Sequence, residues 1–329
     1  MTVQDTDSAR HQSNMDSNPD SAAVDISVIV PTYNDAERVR QCAEALLQQE
    51  CSYPYEILIV DNGSRVPPSL NDLGLSDLGL SDLGARVALL QESKPGSYAA
   101  RNRAIDRSRG RVLAFTDSDC LPDRSWLQTA MAALESQPEV DMVSGKVAIY
   151  YKDPDHPTAV ELYESLYAFR QDLLARSGQS VTANLFVRRE LFHRLGKFND
   201  ETFSGGDFEF TKRATQAGYQ LKYLPDAVVR HPARREYLEY RKKLKRTIGG
   251  VYRMREMDPH YEKPFAIQQL LKDALRPFKK TLGLVRSSTA LDRTFTQVLV
   301  ISGVIFHNEW YSLGLKLSYL LGLRKQYER

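Results

Sequence analysis

Two carboxylates one residue apart, Asp117-Ser118-Asp119, follow directly on the apolar run Val112-Leu113-Ala114-Phe115-Thr116. Where a buried strand opens into a loop, oxygen ligands at this spacing suit a hard divalent cation, which can bridge to the phosphates of a ligand. The triplet by itself also occurs by chance and in surface turns. Its weight comes from position, because it closes the third of three apolar runs that each end in polar residues. The first, Ile26-Ser27-Val28-Ile29-Val30, ends in Pro31-Thr32-Tyr33-Asn34, and the second, Ile57-Leu58-Ile59-Val60, ends in Asp61-Asn62-Gly63-Ser64.

The elements that must hold these clusters follow from periodicity. Val39, Cys42, Ala43, Leu46 and Leu47 recur at helical spacing between the first two runs, which predicts an amphipathic helix. Strand, helix, strand implies a right-handed parallel crossover. In open parallel sheets ligands bind beyond the carboxyl ends of the strands, where all three polar clusters fall. The expected fold class is therefore α/β, a mostly parallel sheet flanked by helices. Further strands are predicted over 86–90, Val140 to Tyr150 and Gln220 to Val229, the last leading to His231-Pro232. Helices are predicted over Ser97 to Ser108, from an N-cap at Asp123, over 155–178, and from Phe208 to a C-cap at Gly218. The aromatics of 155–178, Tyr163, Tyr167 and Phe169, are read as core, the usual fate of aromatics at this spacing.

Composition bounds the function. With 329 residues and 42% hydrophobic content the chain can bury one large core and an appendage. A formal net charge of +2 gives no global field for nucleic acid. Three cysteines (Cys42, Cys51, Cys120) without ligand spacing argue against a disulfide framework and a zinc site. Residues 1–24 are polar, without an apolar core of the signal-peptide kind, and read as a disordered tail, with the cytoplasm as the default compartment. The pentads Gly74-Leu75-Ser76-Asp77-Leu78 and Gly79-Leu80-Ser81-Asp82-Leu83 read as a duplication within a surface loop.

Six segments in order carry a resemblance to the family 2 glycosyltransferases over roughly 26–232. They are Val28 to Asn34, Val60 to Ser64, Pro95-Gly96-Ser97-Tyr98-Ala99-Ala100-Arg101-Asn102, Phe115 to Asp119, Ala183-Asn184-Leu185-Phe186 with Arg188-Arg189, and Gly205-Gly206-Asp207-Phe208-Glu209. The resemblance implies a GT-A fold over 25–232 and transfer of a sugar from a nucleoside-diphosphate donor (UDP-, GDP- or dTDP-linked) to an acceptor hydroxyl, with inversion. It places Pro31, Thr32, Tyr33, Asn34 and Asp61 around the nucleoside, although Asp61 in Asp-Asn-Gly also suits a simple turn. Gly96, Arg101 and Asn102 fall near the phosphates, at a helix N-terminus that favours anions; a solvated helix arginine is the bland alternative for Arg101.

By the same resemblance Asp119 is the direct ligand of a divalent cation, Mn or Mg. Asp117 and Ser118 lie toward the ribose or a metal-bound water, and His231 lies at the metal or the diphosphate. Asp207 is the expected general base, with Glu209 as its alternative, and Asn184, Gly205 and Gly206 face the acceptor. The chain departs from the family pattern at Gly206, where an acid is usual.

Residues 233–329 read as a basic, mostly helical C-terminal region. Seven of the thirteen residues from Arg234 to Arg246 are Lys or Arg, and the apolar run near Val298 to Phe306 is too short to span a bilayer. An anionic membrane surface is an expected partner through this region, alongside a glycan or lipid-linked acceptor. The competing readings are a catalytically inactive sugar-nucleotide-binding regulator, favoured by Gly206, and a sugar-phosphate nucleotidyltransferase.

Overall fold

The computed structural model describes residues 24–69, 71–73, 87–257, 259–288 and 293–324. The polar stretch 1–23 and the pentad repeat lie outside the described residues. Strands β1 (Ile26–Thr32), β2 (Tyr55–Asp61) and β4 (Val112–Thr116) are buried along their whole length, as near-continuous apolar strands are when both sheet faces are covered. Their side chains alternate between two cores. Val28, Val30, Ile57, Ile59 and Ala114 pack under α1 (Ala36–Leu47) and α3 (Trp126–Ser136). Ile29, Leu58, Val60, Leu113 and Phe115 pack on the other face under α2 (Ser97–Arg107), α6 (Glu190–Leu195) and α7 (Gly206–Gln216).

With β3 (Val87–Gln91), β5 (Leu121–Pro122), β6 (Val140–Tyr150), β7 (Asn184–Arg188) and β8 (Gln220–Pro232), the sheet has eight strands in the order β3-β2-β1-β4-β7-β6-β8-β5. It is a mixed sheet of the expected α/β class, in which β6 and β8 also pair in parallel. The β3-β2-β1-β4 half is parallel, but β7 runs antiparallel to both β4 and β6. The reason lies in the preceding segment. After α4 (Ala159–Tyr167) and α5 (Gln171–Arg176) the chain enters β7 at Asn184, opposite Thr116 at the carboxyl end of β4, and so runs back.

Two further local expectations are corrected. The helix α3 starts at Trp126 behind Ser125, and the Asp123 carboxylate pairs with Arg230 at 3.0 Å instead of capping. The helix predicted over 155–178 is two helices, broken where Phe169 takes φ +48°. A bulky residue in the left-handed region is costly and marks a place where the surroundings impose the conformation.

The C-terminal region forms α8 (Tyr237–Met257), a 3₁₀ segment (Pro259–Phe265), α9 (Ile267–Ser288) and α10 (Phe295–Leu320). Val160 and Tyr163 of α4 pack with Tyr240, Leu284, Ile301 and Ile305 of these helices, which places α8 over the carboxyl end of the sheet. Among the described residues no helix is long and apolar enough to cross a membrane.

Candidate active site

A cavity of about 640 Å³ opens at the carboxyl ends of β1, β2 and β4, within the usual range for small-molecule sites. Pro31, Thr32 and Tyr33 contribute one wall, Gly96 and Arg101 of α2 another, and Asp117, Ser118 and Asp119 the floor between them. Gly205, Asp207 and His231 close the opposite side.

The two acids of the doublet have different surroundings. Asp117 is ion-paired with the Nη2 of Arg101, whose side chain is only 3% exposed. Burial raises the Asp117 carboxyl above the ordinary aspartate range; Arg101 opposes the shift, and Asp119 reinforces it. Asp119 lies 3.5 Å from Nε2 of His231 and 3.6 Å from Nη1 of Arg38. Nδ1 of His231 is 2.7 Å from the Pro232 carbonyl oxygen. A carbonyl only accepts, so Nδ1 carries the hydrogen there, and Nε2 is the ring nitrogen that faces Asp119. Asp119, Cys120 and His231 present ligand atoms within 4.8 Å of one another. Burial, ahead of the neighbouring acids, pushes the Cys120 thiol well above its ordinary range, so it stays a neutral thiol and a poor ligand. The remaining oxygen and nitrogen pair fits Mn or Mg with positions left open for phosphate oxygens.

Asp207 stands in the first turn of α7 with a dense set of donors. Its Oδ1 accepts from the Tyr98 hydroxyl (2.8 Å) and the Phe208 amide (3.0 Å), and its Oδ2 from the Thr182 amide (3.2 Å). Burial, followed by the Asp207 charge, pushes the Tyr98 phenol well above its ordinary range, so Tyr98 is the donor in that bond. The departure at Gly206 has a steric cause. A Cβ there would meet Tyr98 Cδ2 at 2.9 Å and Cε2 at 3.0 Å, so the Tyr98 ring occupies the space of a Gly206 side chain. Gly206→Ala is accordingly expected to cost about 1–3 kcal/mol by overpacking, read as a lower unfolding midpoint in urea. An unchanged midpoint would mean that the ring moves aside freely.

Several predicted site residues do not line the cavity. Asn184 is fully buried in the sheet, accepting from Trp126 Nε1 (2.9 Å) and donating to the Lys146 and Ala227 carbonyls, so it positions strands instead of facing an acceptor. Asn102 donates to the Phe198 carbonyl and accepts from the Phe198 amide. Glu209 pairs with Arg213 at 2.6 Å, one turn along α7. The Asp61 carboxylate accepts from the Ser64 amide (3.2 Å), closing its own turn beside Thr32. Asn34, at φ +51°, accepts from the Arg65 amide and ties the first two loops together.

Other residues enter the site without having been predicted. Asn62 donates to the Glu92 and Lys94 carbonyls and accepts from the Gly96 amide, fixing the turn before α2. Phe169 and Tyr167, read as core, line the cavity, and the Phe169 ring lies 4.5 Å from that of His231. Arg234, Lys243 and Arg246, read as facing a membrane, line it as well. The signal available in the sequence was their spacing: Lys243, Arg246 and Thr247 share one helix face.

The profile of Glycosyl transferase family 2 matches residues 27–196, and that of Glycosyl transferase family group 2 matches residues 112–321. The chain belongs to glycosyl transferase family 2. Glycosyltransferase AglE of Haloferax volcanii is 38% identical to this family 2 chain over 213 residues, 64% of the chain and 67% of AglE. The pre-mycofactocin glycosyltransferase of Mycobacterium tuberculosis is 26% identical over 224 residues, and the match spans 44% of its length. Among solved structures, the mannosyltransferase PcManGT from Pyrobaculum calidifontis superposes with a TM-score of 0.57 at 20% identity, covering 92% of this chain and 89% of that one. GalNAc-T7 superposes with a TM-score of 0.50 at 17% identity, covering 66% and 45%. The fold is thus GT-A.

Proposed function

We propose that this family 2 chain transfers a sugar from a nucleoside-diphosphate donor to an acceptor hydroxyl with inversion, in the synthesis of a polysaccharide, a glycolipid or a cell-surface glycan. One observation carries the reading. The Asp117-Ser118-Asp119 loop, His231 at the end of β8 and Asp207 on α7 open into a single cavity with Pro31 to Tyr33. The structures of PcManGT with GDP-Man and Mn2+, and of GalNAc-T7 with UDP, GalNAc and Mn2+, support the donor class and the cation.

Asp119 and Nε2 of His231 would hold the divalent cation, Mn or Mg, which when bound offsets negative charge on the departing diphosphate. Asp207 takes the acceptor hydroxyl proton as that oxygen attacks the anomeric carbon. The bond from that carbon to the diphosphate oxygen breaks on the opposite face, and the nucleoside diphosphate leaves. Tyr98 and Thr182 hold the Asp207 carboxylate in one orientation, and Arg101 does the same for Asp117. The inactive-regulator alternative drew on Gly206; Tyr98 filling that space beside a fully positioned Asp207 favours the active reading.

Arg234, Lys243 and Arg246 add a cationic wall. Arg234 Nη1 (2.8 Å) and Lys243 Nζ (3.0 Å) share the one buried carboxylate of Glu164. Burial alone would raise the Glu164 carboxyl, but the two cations together hold it below its ordinary range. Three positive charges against one leave an excess that suits a diphosphate. Burial and the adjacent Arg234 bring Lys243 down to about 8, against the pull of Glu164.

An amine is charged below its pKa, so the wall keeps Lys243 cationic at neutral pH and loses it as pH rises through about 8. Nucleoside-diphosphate affinity is expected to weaken about tenfold between neutral and alkaline pH, the size of one charge-assisted hydrogen bond. Lys243→Arg should remove that fall. Calorimetry at pH values on either side of 8 reads both, and a flat wild-type profile would exclude Lys243 from the site.

The decisive experiment measures nucleotide release from UDP-, GDP- and dTDP-sugars with and without manganese and a hydroxyl acceptor. Absence of both binding and release across the panel would overturn the reading.

A further inference from the structure

The α9–α10 hairpin buries Leu284, Ile301 and Ile305 against α4 and α8, yet carries a second apolar stripe on its outer face. Ile267, Leu271, Leu275, Phe278, Leu282 and Val285 are spaced four, four, three, four and three residues apart along α9, and all are exposed, Ile267 at 76% and Phe278 at 54%. At 1.5 Å per residue the stripe runs about 27 Å. The seam with α10 extends it. Phe278 packs edge-on against Phe306 at 5.0 Å, and Phe306 against Trp310 at 5.3 Å, with Trp310 itself 52% exposed. Leu299 and Leu317 of α10 are exposed too.

The hairpin's acids lie inside, among its buried apolar groups. Asp273 and Glu309 are the sole acids of the two helices, and both are buried between them. Asp273 pairs with Lys316 of α10 (2.7 Å) and with Arg276, while Glu309 pairs with Lys280. What remains exposed on α9 beside the apolar stripe is a parallel line of cations at heptad spacing, Lys272, Lys279 and Arg286. A monomer in water gains nothing from a six-residue apolar stripe in solvent, and patches of this kind mark interaction sites. An apolar face flanked on one side by cations alone, with a tryptophan at its edge, is complementary to a bilayer surface carrying anionic headgroups.

We propose that the α9–α10 face docks on an anionic lipid bilayer, the stripe entering the headgroup boundary and Lys272, Lys279 and Arg286 meeting lipid phosphates. This narrows the membrane contact expected over residues 233–329 to one face. Part of the basic segment from Arg234 to Arg246 lines the cavity, whereas Lys279, a cation of the same basic region, lies on the docking face. The inference rests on none of the catalytic residues and stands apart from the proposed transfer reaction.

The test floats the full chain with phosphatidylcholine vesicles, with and without phosphatidylglycerol, at low salt. Co-flotation with the anionic vesicles is expected. Trp310 emission should shift to the blue, Trp126 contributing a constant background because it is fully buried. Leu275→Glu with Phe278→Glu should lower partitioning more than about tenfold by placing charge on the inserting face. Lys272→Glu, Lys279→Glu and Arg286→Glu together should lower it about a hundredfold on anionic vesicles only, each surface cation giving roughly a fivefold gain. All five positions are exposed, so unchanged nucleotide binding is expected in both variants. Phe278 also packs on Phe306, so Leu275→Glu alone, outside that aromatic contact, is the variant in which unchanged thermal unfolding and lowered partitioning are expected together. Failure of the wild type to co-float at low salt would overturn the proposal, as would wild-type flotation of the Leu275/Phe278 variant. A dimer that the Phe278 change dissociates, with no vesicle binding, would assign the face to a second copy of the chain instead.

Discussion

Asp207→Asn abolishes turnover, by about 10²–10⁴-fold in kcat, while leaving nucleotide affinity within a few-fold of wild type. This is the expected result if the Asp207 carboxylate removes the acceptor's proton, because a general base contributes on that scale. The substitution keeps the side chain's shape but turns one oxygen into an amide NH2 group. That donor meets the Thr182 amide or the Tyr98 hydroxyl, two groups that donate to the carboxylate, so some loss of stability accompanies it. Thermal unfolding of the variant separates that loss from the kinetic one. Turnover near the wild-type rate in a folded variant would remove Asp207 from the role. The Glu209 alternative gains nothing from the structure, since Arg213 holds that carboxylate through both Nε and Nη2.

Asp119→Ala removes the oxygen that faces Nε2 of His231 and is expected to erase the part of donor binding that depends on a divalent cation. Even outer partners of metal ligands are worth roughly 10–100-fold in metal affinity, and Asp119 would be a direct one. Neither of the two flanking candidates takes its place. Cys120 remains a neutral thiol, and Asp117 is committed to Arg101. Calorimetric titration of nucleoside diphosphate with and without manganese separates the two components. Undiminished manganese-dependent binding would refute the assignment. Cation-independent binding should persist, because Arg101, Arg234, Lys243 and Arg246 still line the cavity.

The two expected losses fall on different sides of one cavity and report different things. Asp207 acts on the acceptor, so its removal is read in kcat at saturating donor. Asp119 acts on the donor, so its removal is read in equilibrium binding before any transfer. A chain that binds donor with cation yet is insensitive to Asp207→Asn would be a nucleotide-sugar binder whose chemistry lies elsewhere.

The strands and the site's position were legible in the sequence because both follow from local pattern. β4 begins and ends where the apolar run Val112 to Thr116 does, and β6 spans Val140 to Tyr150 as predicted. Apolar runs and polar strand ends are properties of consecutive residues, so no distant contact was needed to read them. The order of the six family segments fixed the GT-A fold and brought the Asp117-Ser118-Asp119 loop, Asp207 and His231 into consideration together. What composition and spacing left open were the partners of each side chain. Asn184 and Asn102 fall within matching segments, yet their amides serve strands and loops. Nothing in their neighbours along the chain distinguishes a buried structural amide from a ligand contact.

Tertiary structure decided the rest, for reasons that are non-local in each case. Gly206 read as a missing acid until the Tyr98 ring was found in the volume its side chain would need, a contact between residues of different helices. Phe169 had the spacing of a core aromatic, and the break between α4 and α5 turned it toward His231. The C-terminal region was read from its basic and apolar stretches, without their partners. Packing of α8 on α4 brings Arg234 and Lys243 to a buried Glu164 at the cavity wall, while the α9–α10 pairing buries that hairpin's acids and leaves its apolar stripe outside. Sequence determined which residues carry charge, apolar surface and strand or helix periodicity, because those are properties of a residue and its near neighbours. Only the fold decided which charges meet, since desolvation and pairing depend on groups brought together from distant parts of the chain.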